Sequence, residues 1–308
     1  MRNLHHLKSL LLLLLALCAL PGMAQELTGL QADGYFPKAL MRADGVARVL
    51  MYAHKQEDPR AVAGMGNAIR IAKEMTEETV FGLDGQVTAK RFYAPGEKVR
   101  DEVTFSYDAK GQLSAKAYQH YSPANLTLPD APWVPRITSS TFYEYENGQL
   151  RRQATSMPGD AKVTQQTDYT YYPDGRLHTE TVQNDRGNLV RTYAYQGLTT
   201  VVEERSGEVL QQVERITTDK SGRVLTHAYH PDGQATADLT EHYSYHPRGW
   251  LEEVRYEFDW TRHAREKVLL SRQNRYDDHG KLVEASLNYG DGRRTVQWYD
   301  YVYLVEGE

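Results

Sequence analysis

A single cysteine, Cys18, is all the chain carries, which excludes an intramolecular disulfide and any cysteine-rich zinc site. A charge excess is also missing. The 36 Lys and Arg residues against 41 Asp and Glu leave a formal charge of −5, without the basic footprint that nucleic-acid binding needs. Nucleic acid is therefore not an expected partner. Phenylalanine and tryptophan are scarce, at six and four residues, whereas tyrosine reaches 22. Tyrosine suits pleated, half-buried surfaces, so the skew points to β-structure. With 40% hydrophobic and 25% charged residues among its 308, the chain is neither globally disordered nor collagen-like.

Long apolar runs are absent except at the start. Arg2 and Lys8 precede an almost wholly apolar stretch at 10–20, Pro21 ends it, and Gly22 and Ala24 place small residues before Gln25. That is the pattern of a secretory signal peptide over residues 1–24. The apolar stretch falls short of the roughly 20 residues of a membrane-spanning helix. Leu17 stands where a lipoprotein signal wants a small residue, so lipidation of Cys18 is not expected. Cleavage before Gln25 leaves a cysteine-free chain with 34 basic and 41 acidic residues, a net charge of −7. The chain is expected to be exported, to the periplasm or the cell surface.

What is abundant is one turn unit, a glycine followed two residues later by Leu or Val. It recurs as Gly85-Gln86-Val87, Gly111-Gln112-Leu113, Gly148-Gln149-Leu150, Gly175-Arg176-Leu177, Gly187-Asn188-Leu189 and Gly207-Glu208-Val209. Gly222-Arg223-Val224, Gly249-Trp250-Leu251 and Gly280-Lys281-Leu282 complete the series. In five copies an aromatic, Phe81, Tyr107, Tyr171, Tyr245 or Tyr276, stands four residues before the glycine. The unit reads as a β-hairpin whose glycine takes the positive-φ position of a type I turn with a bulge. Tyrosine pairs two apart, at 143/145, 169/171, 193/195, 243/245 and 299/301, put both rings on one face of a strand.

Tyr107-Asp108-Ala109-Lys110-Gly111-Gln112-Leu113 and Tyr276-Asp277-Asp278-His279-Gly280-Lys281-Leu282 resemble the repeat core of the Rhs, or YD-repeat, family. Tyr171–Leu177 and Tyr245–Leu251 are variants without the first Asp. The resemblance covers roughly residues 80–303. It implies long, curling antiparallel sheets, which in large members wrap into hollow shells around a toxin domain, and a loose association with cell surfaces and carbohydrate. No effector-like segment follows the repeats in this sequence, so encapsulation is not expected.

The expected fold is all-β, repeated antiparallel hairpins forming an extended, twisted or curling sheet. Residues 1–24 are the signal peptide, 25–79 an N-terminal capping region with a strand from Val46, and 80–308 the repeat domain. A proline-rich insertion at 122–136, with Pro123, Pro129, Pro132 and Pro135, cannot be a central strand and reads as a loop over a sheet edge. Trp133 within it is a candidate binding residue.

Motifs of catalysis are missing: no nucleophile elbow, phosphate loop or dinucleotide fingerprint occurs. His242 and His246 have the spacing of a helical zinc site, but they fall on a strand, where residues four apart lie roughly 13 Å from each other. No metal, cofactor or catalytic residue is expected. Trp250, Trp260 and Trp298 join Trp133 as binding candidates, because flat aromatic faces with polar rims suit sugars and peptides. An alternation over 250–260 places Trp250, Glu252, Val254, Tyr256, Phe258 and Trp260 on one face. The leading expectation is a non-catalytic exported repeat protein that binds a cell-surface glycan or protein, without membrane insertion. Two alternatives are a shell fragment or neutralising companion of a larger toxin or secretion system, and an outer-membrane β-barrel. The barrel ranks last because strands such as 179–183 and 211–215 show no apolar band on either face.

Overall fold

The structure is a computed structural model that describes residues 36–56, 74–94, 96–124, 132–157, 163–259 and 268–304. The signal peptide with Cys18, and Trp260, lie outside the described residues. Among the described residues one helix, α1 (Lys38–Ala43), precedes the wall strands. These are β1 (Val46–Gln56), β2 (Glu74–Phe81), β3 (Val87–Ala94), β4 (Lys98–Tyr107), β5 (Leu113–Pro123) and β6 (Trp133–Glu146). Next come β7 (Gln149–Ser156), β8 (Val163–Tyr171), β9 (Leu177–Asn184), β10 (Gly187–Gln196), β11 (Thr199–Ser206) and β12 (Val209–Thr218). The last six are β13 (Val224–Pro231), β14 (Leu239–Tyr245), β15 (Leu251–Phe258), β16 (Leu269–Tyr276), β17 (Leu282–Tyr289) and β18 (Arg294–Tyr303).

Each strand pairs antiparallel with the next, and β1 pairs with β18 as well as with β2, Val49 lying opposite both Tyr301 and Thr79. The 18 strands thus form one closed ring. The all-β hairpin architecture is as the turn motif predicts; the closure is not. An extended sheet would leave two rows of unpaired N–H and C=O groups, and joining β1 to β18 removes both.

Closure overturns the leading functional expectation, a repeat sheet that binds a surface glycan or protein without membrane insertion. A closed antiparallel barrel satisfies every ladder group of its wall within the ring, the condition for placing β-structure in a bilayer. Side-chain alternation on single strands, the ground for expecting no insertion, carries no information about whether the sheet closes.

All nine repeat glycines have positive φ, from 58° at Gly207 to 122° at Gly187. In the turn after β4, Gly111 N donates to Asp108 O and Asp108 N to Gln112 O, closing a type I turn with a bulge. The Asp108 carboxylate accepts from the amides of Lys110 and Gln112, both at 2.8 Å. Asp277 does the same for His279 and Lys281. The bulge falls at the same place each time, between Ser106 and Tyr107, Thr170 and Tyr171, Ser244 and Tyr245, and Arg275 and Tyr276. It also corrects the face expected over 250–260: Tyr245 pairs with Leu251 and Ser244 with Glu253. Leu251, not Trp250, therefore shares a face with Val254, Tyr256 and Phe258.

The repeated tyrosine holds one hairpin to the one before it. Tyr107 Oη donates to the carbonyl of Val87 (2.8 Å), Tyr171 to Leu150 (2.7 Å) and Tyr195 to Leu177 (3.0 Å). Tyr245, Tyr276 and Tyr301 reach Val224, Leu251 and Leu282 at 2.8–2.9 Å. Each acceptor is the Leu or Val of the preceding Gly-x-Leu unit, which explains why tyrosine is used in place of phenylalanine. The middle residue of the unit contributes too. Gln86, Gln112 and Gln149 donate to the carbonyls of Gly111, Gly148 and Gly175 in the neighbouring turns. Tyr171→Phe should therefore cost about 1 kcal/mol, the net worth of one such bond, read as a lowered denaturation midpoint. A midpoint equal to the wild type's would mean that this bond adds nothing.

The eight turns at the end of the barrel where β1 begins have two to five residues. Both ends of the wall meet here, where Leu304 N donates to Gly45 O. Connections at the opposite, far rim are more varied and reach 17 residues between β1 and β2. The proline-rich segment is one of these, and both its ends are strand, Ser122 and Pro123 in β5 and 133–136 in β6. Pro123 ends β5 opposite Trp133, and Pro135 lies opposite Tyr121 beyond a bulge at His120/Tyr121. At that bulge and so near the rim, a proline's missing N–H disrupts little of the ladder.

Register assigns each side chain to one of two faces. One face carries Val46, Val49, Phe81, Val87, Leu282, Ala285 and Tyr299, which form the main core cluster with Phe36 and Met41 of the α1 segment. A smaller cluster, Leu177, Tyr193 and Val202, lies on the same face. This is the crowded, lumenal side, and the residues between its members point outward. Ala39, Leu40, Met41 and Arg42 are strong helix formers, and Pro37 is tolerated at the helix start. The α1 segment packs inside the near rim, where Phe36 meets Phe81, Tyr299 and Tyr301 edge-on. Lys281 Nζ ties the turn after β16 to Asp44 at 2.8 Å.

Candidate functional site

The largest buried polar feature is a hydrogen-bonded network on the lumenal face of β9–β14. Its register is strict: Arg191 lies opposite Glu180 and Glu204, and His227 opposite Glu241. Arg191 Nε donates to Glu204 Oε2 (2.7 Å), while its Nη2 lies 3.9 Å from Glu214 Oε1. Tyr193 Oη donates to Glu180 (3.1 Å). Glu214 accepts from Gln212 (2.8 Å) and meets His227 Nε2 at 2.9 Å. On its other side, His227 Nδ1 lies 2.8 Å from the Tyr229 hydroxyl. Tyr229 and Tyr243 both donate to Glu241, at 3.2 and 2.6 Å. His227, Glu214 and Arg191 are 1%, 3% and 7% exposed, so this is a sealed brace across six strands. Four carboxylates surrounding one guanidinium and one imidazole are partnered throughout, as buried charges must be.

Tyrosine spacing points to this layer. In four of the five pairs the second tyrosine makes the rim rung, and the first reaches deeper to a polar side chain. Tyr193 meets Glu180, Tyr243 meets Glu241, Tyr169 meets Gln153 and Tyr299 meets Gln297. Sequence reasoning missed the acids and His227, because the cluster draws one or two residues from each of six strands and no local spacing records it.

The three described tryptophan candidates do not converge. Trp250 belongs to a near-rim turn, stacked on His246 (5.2 Å, 13°) and beside Tyr276 (5.4 Å). Trp298 points outward from β18, opposite Tyr52. Trp133 is the first residue of β6, on the outward face at the far rim. His242 bonds Glu257 at 2.9 Å, and His246 accepts from Arg248 N within its turn. Among the described residues, no group of three or more His, Cys, Asp or Glu side chains could hold a metal ion.

Two outward regions differ in chemistry. From β7 to β17 the outward face carries charges such as Arg152, Asp168, Glu203, Arg215 and Arg255. Across β18 and β1–β6 it carries Trp298, Tyr52, Tyr93, Tyr121 and Trp133. Beside that aromatic row, Glu78 is buried between Arg48 (3.1 Å) and Arg91 (2.9 Å), and Arg91 Nε also donates to Glu102 (2.8 Å).

No family model and no curated protein matches the chain. Among solved structures it is similar to a porin-like protein from Bacteroides uniformis, with 9% identity over 83% of this chain and 98% of the other and a TM-score of 0.33. A porin-like protein from Bacteroides vulgatus is 11% identical over 68% of this chain and 95% of its own, with a TM-score of 0.31. TcdB2-TccC3 without its hypervariable C-terminal region is 13% identical over 77% of this chain, with a TM-score of 0.33. The chain spans only 12% of that structure's length.

Proposed function

We propose that this chain is an exported β-barrel of the outer-membrane type, with no catalytic role. The observation that carries the reading is closure of an even-numbered, antiparallel ring of neighbouring strands. Outer-membrane barrels share that plan, with short turns on one side, longer loops on the other and a polar interior. Here both wall ends and the short turns share one rim, the longer connections share the other, and the lumenal face holds the Arg191–His227 network. The N-terminal 24 residues supply the export signal.

The reading places a sharp demand on the wall, since β15 alone directs Glu253, Arg255 and Glu257 outward and an outward Arg at a bilayer midplane costs about 2–4 kcal/mol. The test is to express the full chain with its leader in a Gram-negative host, fractionate the envelope and wash it with alkaline carbonate. The expected result is retention in the membrane pellet, with unboiled protein migrating faster on a denaturing gel than boiled protein. Release by carbonate would overturn the reading and leave those outward charges facing water.

A further inference from the structure

We propose that the barrel is anchored at the headgroup level of a phospholipid bilayer along one outward arc, β18 and β1–β6, through a row of five aromatics. This deepens the outer-membrane reading and rests on it. The row is built by register. Trp298 and Met75 both lie opposite Tyr52, on either side of β1. Tyr93 continues it on β3, opposite Val99 of β4. Tyr121 follows on β5 opposite Pro135, and Trp133 lies one step closer to the far rim, opposite Pro123. All five aromatics are half-buried.

The confinement of the row makes the argument. Among the described wall residues, these five are the tyrosines and tryptophans of the outward face; the many others point into the lumen or sit in turns. Eleven consecutive strands, β7–β17, thus present none. Tyrosine and tryptophan combine an apolar ring with a polar edge, and for that reason they gather at the headgroup level of bilayers. The adjoining row toward the near rim suits the same surroundings. Its Glu78 is sealed between Arg48 and Arg91, with Arg91 shared by Glu102, so these charges are neutralised against one another. Asp300, opposite Leu50 in that row, is exposed, and the outward face of β7–β17 carries further exposed charges such as Arg152 with no tyrosine or tryptophan among them.

The test uses the mature chain with vesicles of phosphatidylethanolamine and phosphatidylglycerol, prepared with and without brominated acyl chains, and reads tryptophan emission. Bromolipid should quench the emission of wild type and of Trp250→Phe/Trp260→Phe, which keeps the two arc tryptophans. Quenching should be lost in Trp133→Phe/Trp298→Phe. Tyr52→Ser/Tyr121→Ser should weaken vesicle partitioning about tenfold, equivalent to about 1.4 kcal/mol. Should the arc-tryptophan variant fail to fold, the reciprocal variant still decides the matter. A vesicle-bound barrel whose quenching follows Trp250 and Trp260, or is absent, would overturn the arc and leave the outer-membrane reading standing. Failure of the wild-type chain to associate with vesicles would overturn both.

Discussion

Arg191→Met should destabilise the barrel by about 3–5 kcal/mol, the cost of removing one partner from a buried ion pair. Arg191 is the guanidinium among Glu180, Glu204 and Glu214, and it is 7% exposed. Methionine fills much of the same volume, so the loss is electrostatic: carboxylates that were held by a cation remain sealed without it. Glu204→Gln in the same background removes one of those charges and should recover part of the stability. An outward pair provides the contrast. Arg152 Nε lies 2.8 Å from Asp168 Oδ1, yet its side chain is 44% exposed, so Arg152→Met should cost far less than Arg191→Met. Denaturant midpoints of the refolded variants measure all three. Equal losses for Arg191→Met and Arg152→Met would show that the network is hydrated and contributes no more than a surface pair.

That network marks where sequence reasoning stops. The period-2 spacing of Tyr193/Tyr195 and Tyr243/Tyr245 tells which face a ring occupies, but not that Glu180, Glu214 and His227 share that face across neighbouring strands. Only inter-strand register brings them together, and register depends on one-residue bulges. The bulge before each repeat tyrosine shifts the alternation by one. A straight count through residues 250–260 therefore places Trp250 where Leu251 belongs. The bulge accompanies a positive-φ glycine, so Gly-x-Leu marks where each turn lies but not how the paired strand shifts phase.

The hairpins themselves were legible because their cause is local. Asp108 caps two amides of its own turn, Gly111 takes a φ of 75°, and Asp219 and Asp277 repeat that chemistry in theirs. Closure is not local. Val49 pairs with Tyr301 across 252 positions of sequence, and nothing in either strand distinguishes a partner in the ring from an edge exposed to solvent. The choice between open sheet and barrel lies in that one pairing. The aromatic arc has the same origin. Tyr52, Trp133 and Trp298 are far apart in the chain, and only the junction of β18 with β1 makes Trp298 a neighbour of Tyr52.

Gly85→Val should cost about 3 kcal/mol or more, well above the same change at Gly111, although both glycines occupy the same turn position with φ of 79° and 75°. A β-branched residue at positive φ is strained by about 1–3 kcal/mol in either turn. The difference is what a side chain would meet. At Gly111 an added Cβ would lie 3.1 Å from Gln86 Nε2, the end of a side chain that can swing away. At Gly85 it would lie 2.5 Å from the backbone oxygen of Lys38 and 2.9 Å from Arg42 N. Those atoms belong to α1 and cannot yield unless the helix lifts. Lifting it uncovers Phe36 and Met41, which are 3% and 0% exposed within the main core cluster, and burying each such side chain is worth about 1.5–3 kcal/mol. The wall should survive, because the ladder from β1 to β18 does not pass through α1. Gly85→Val should therefore keep a β-type circular dichroism spectrum while its denaturation midpoint falls and limited proteolysis cuts near residues 36–45. If Gly85→Val and Gly111→Val lose the same stability and α1 stays protected, the close approach of helix to turn is not what makes glycine necessary at position 85.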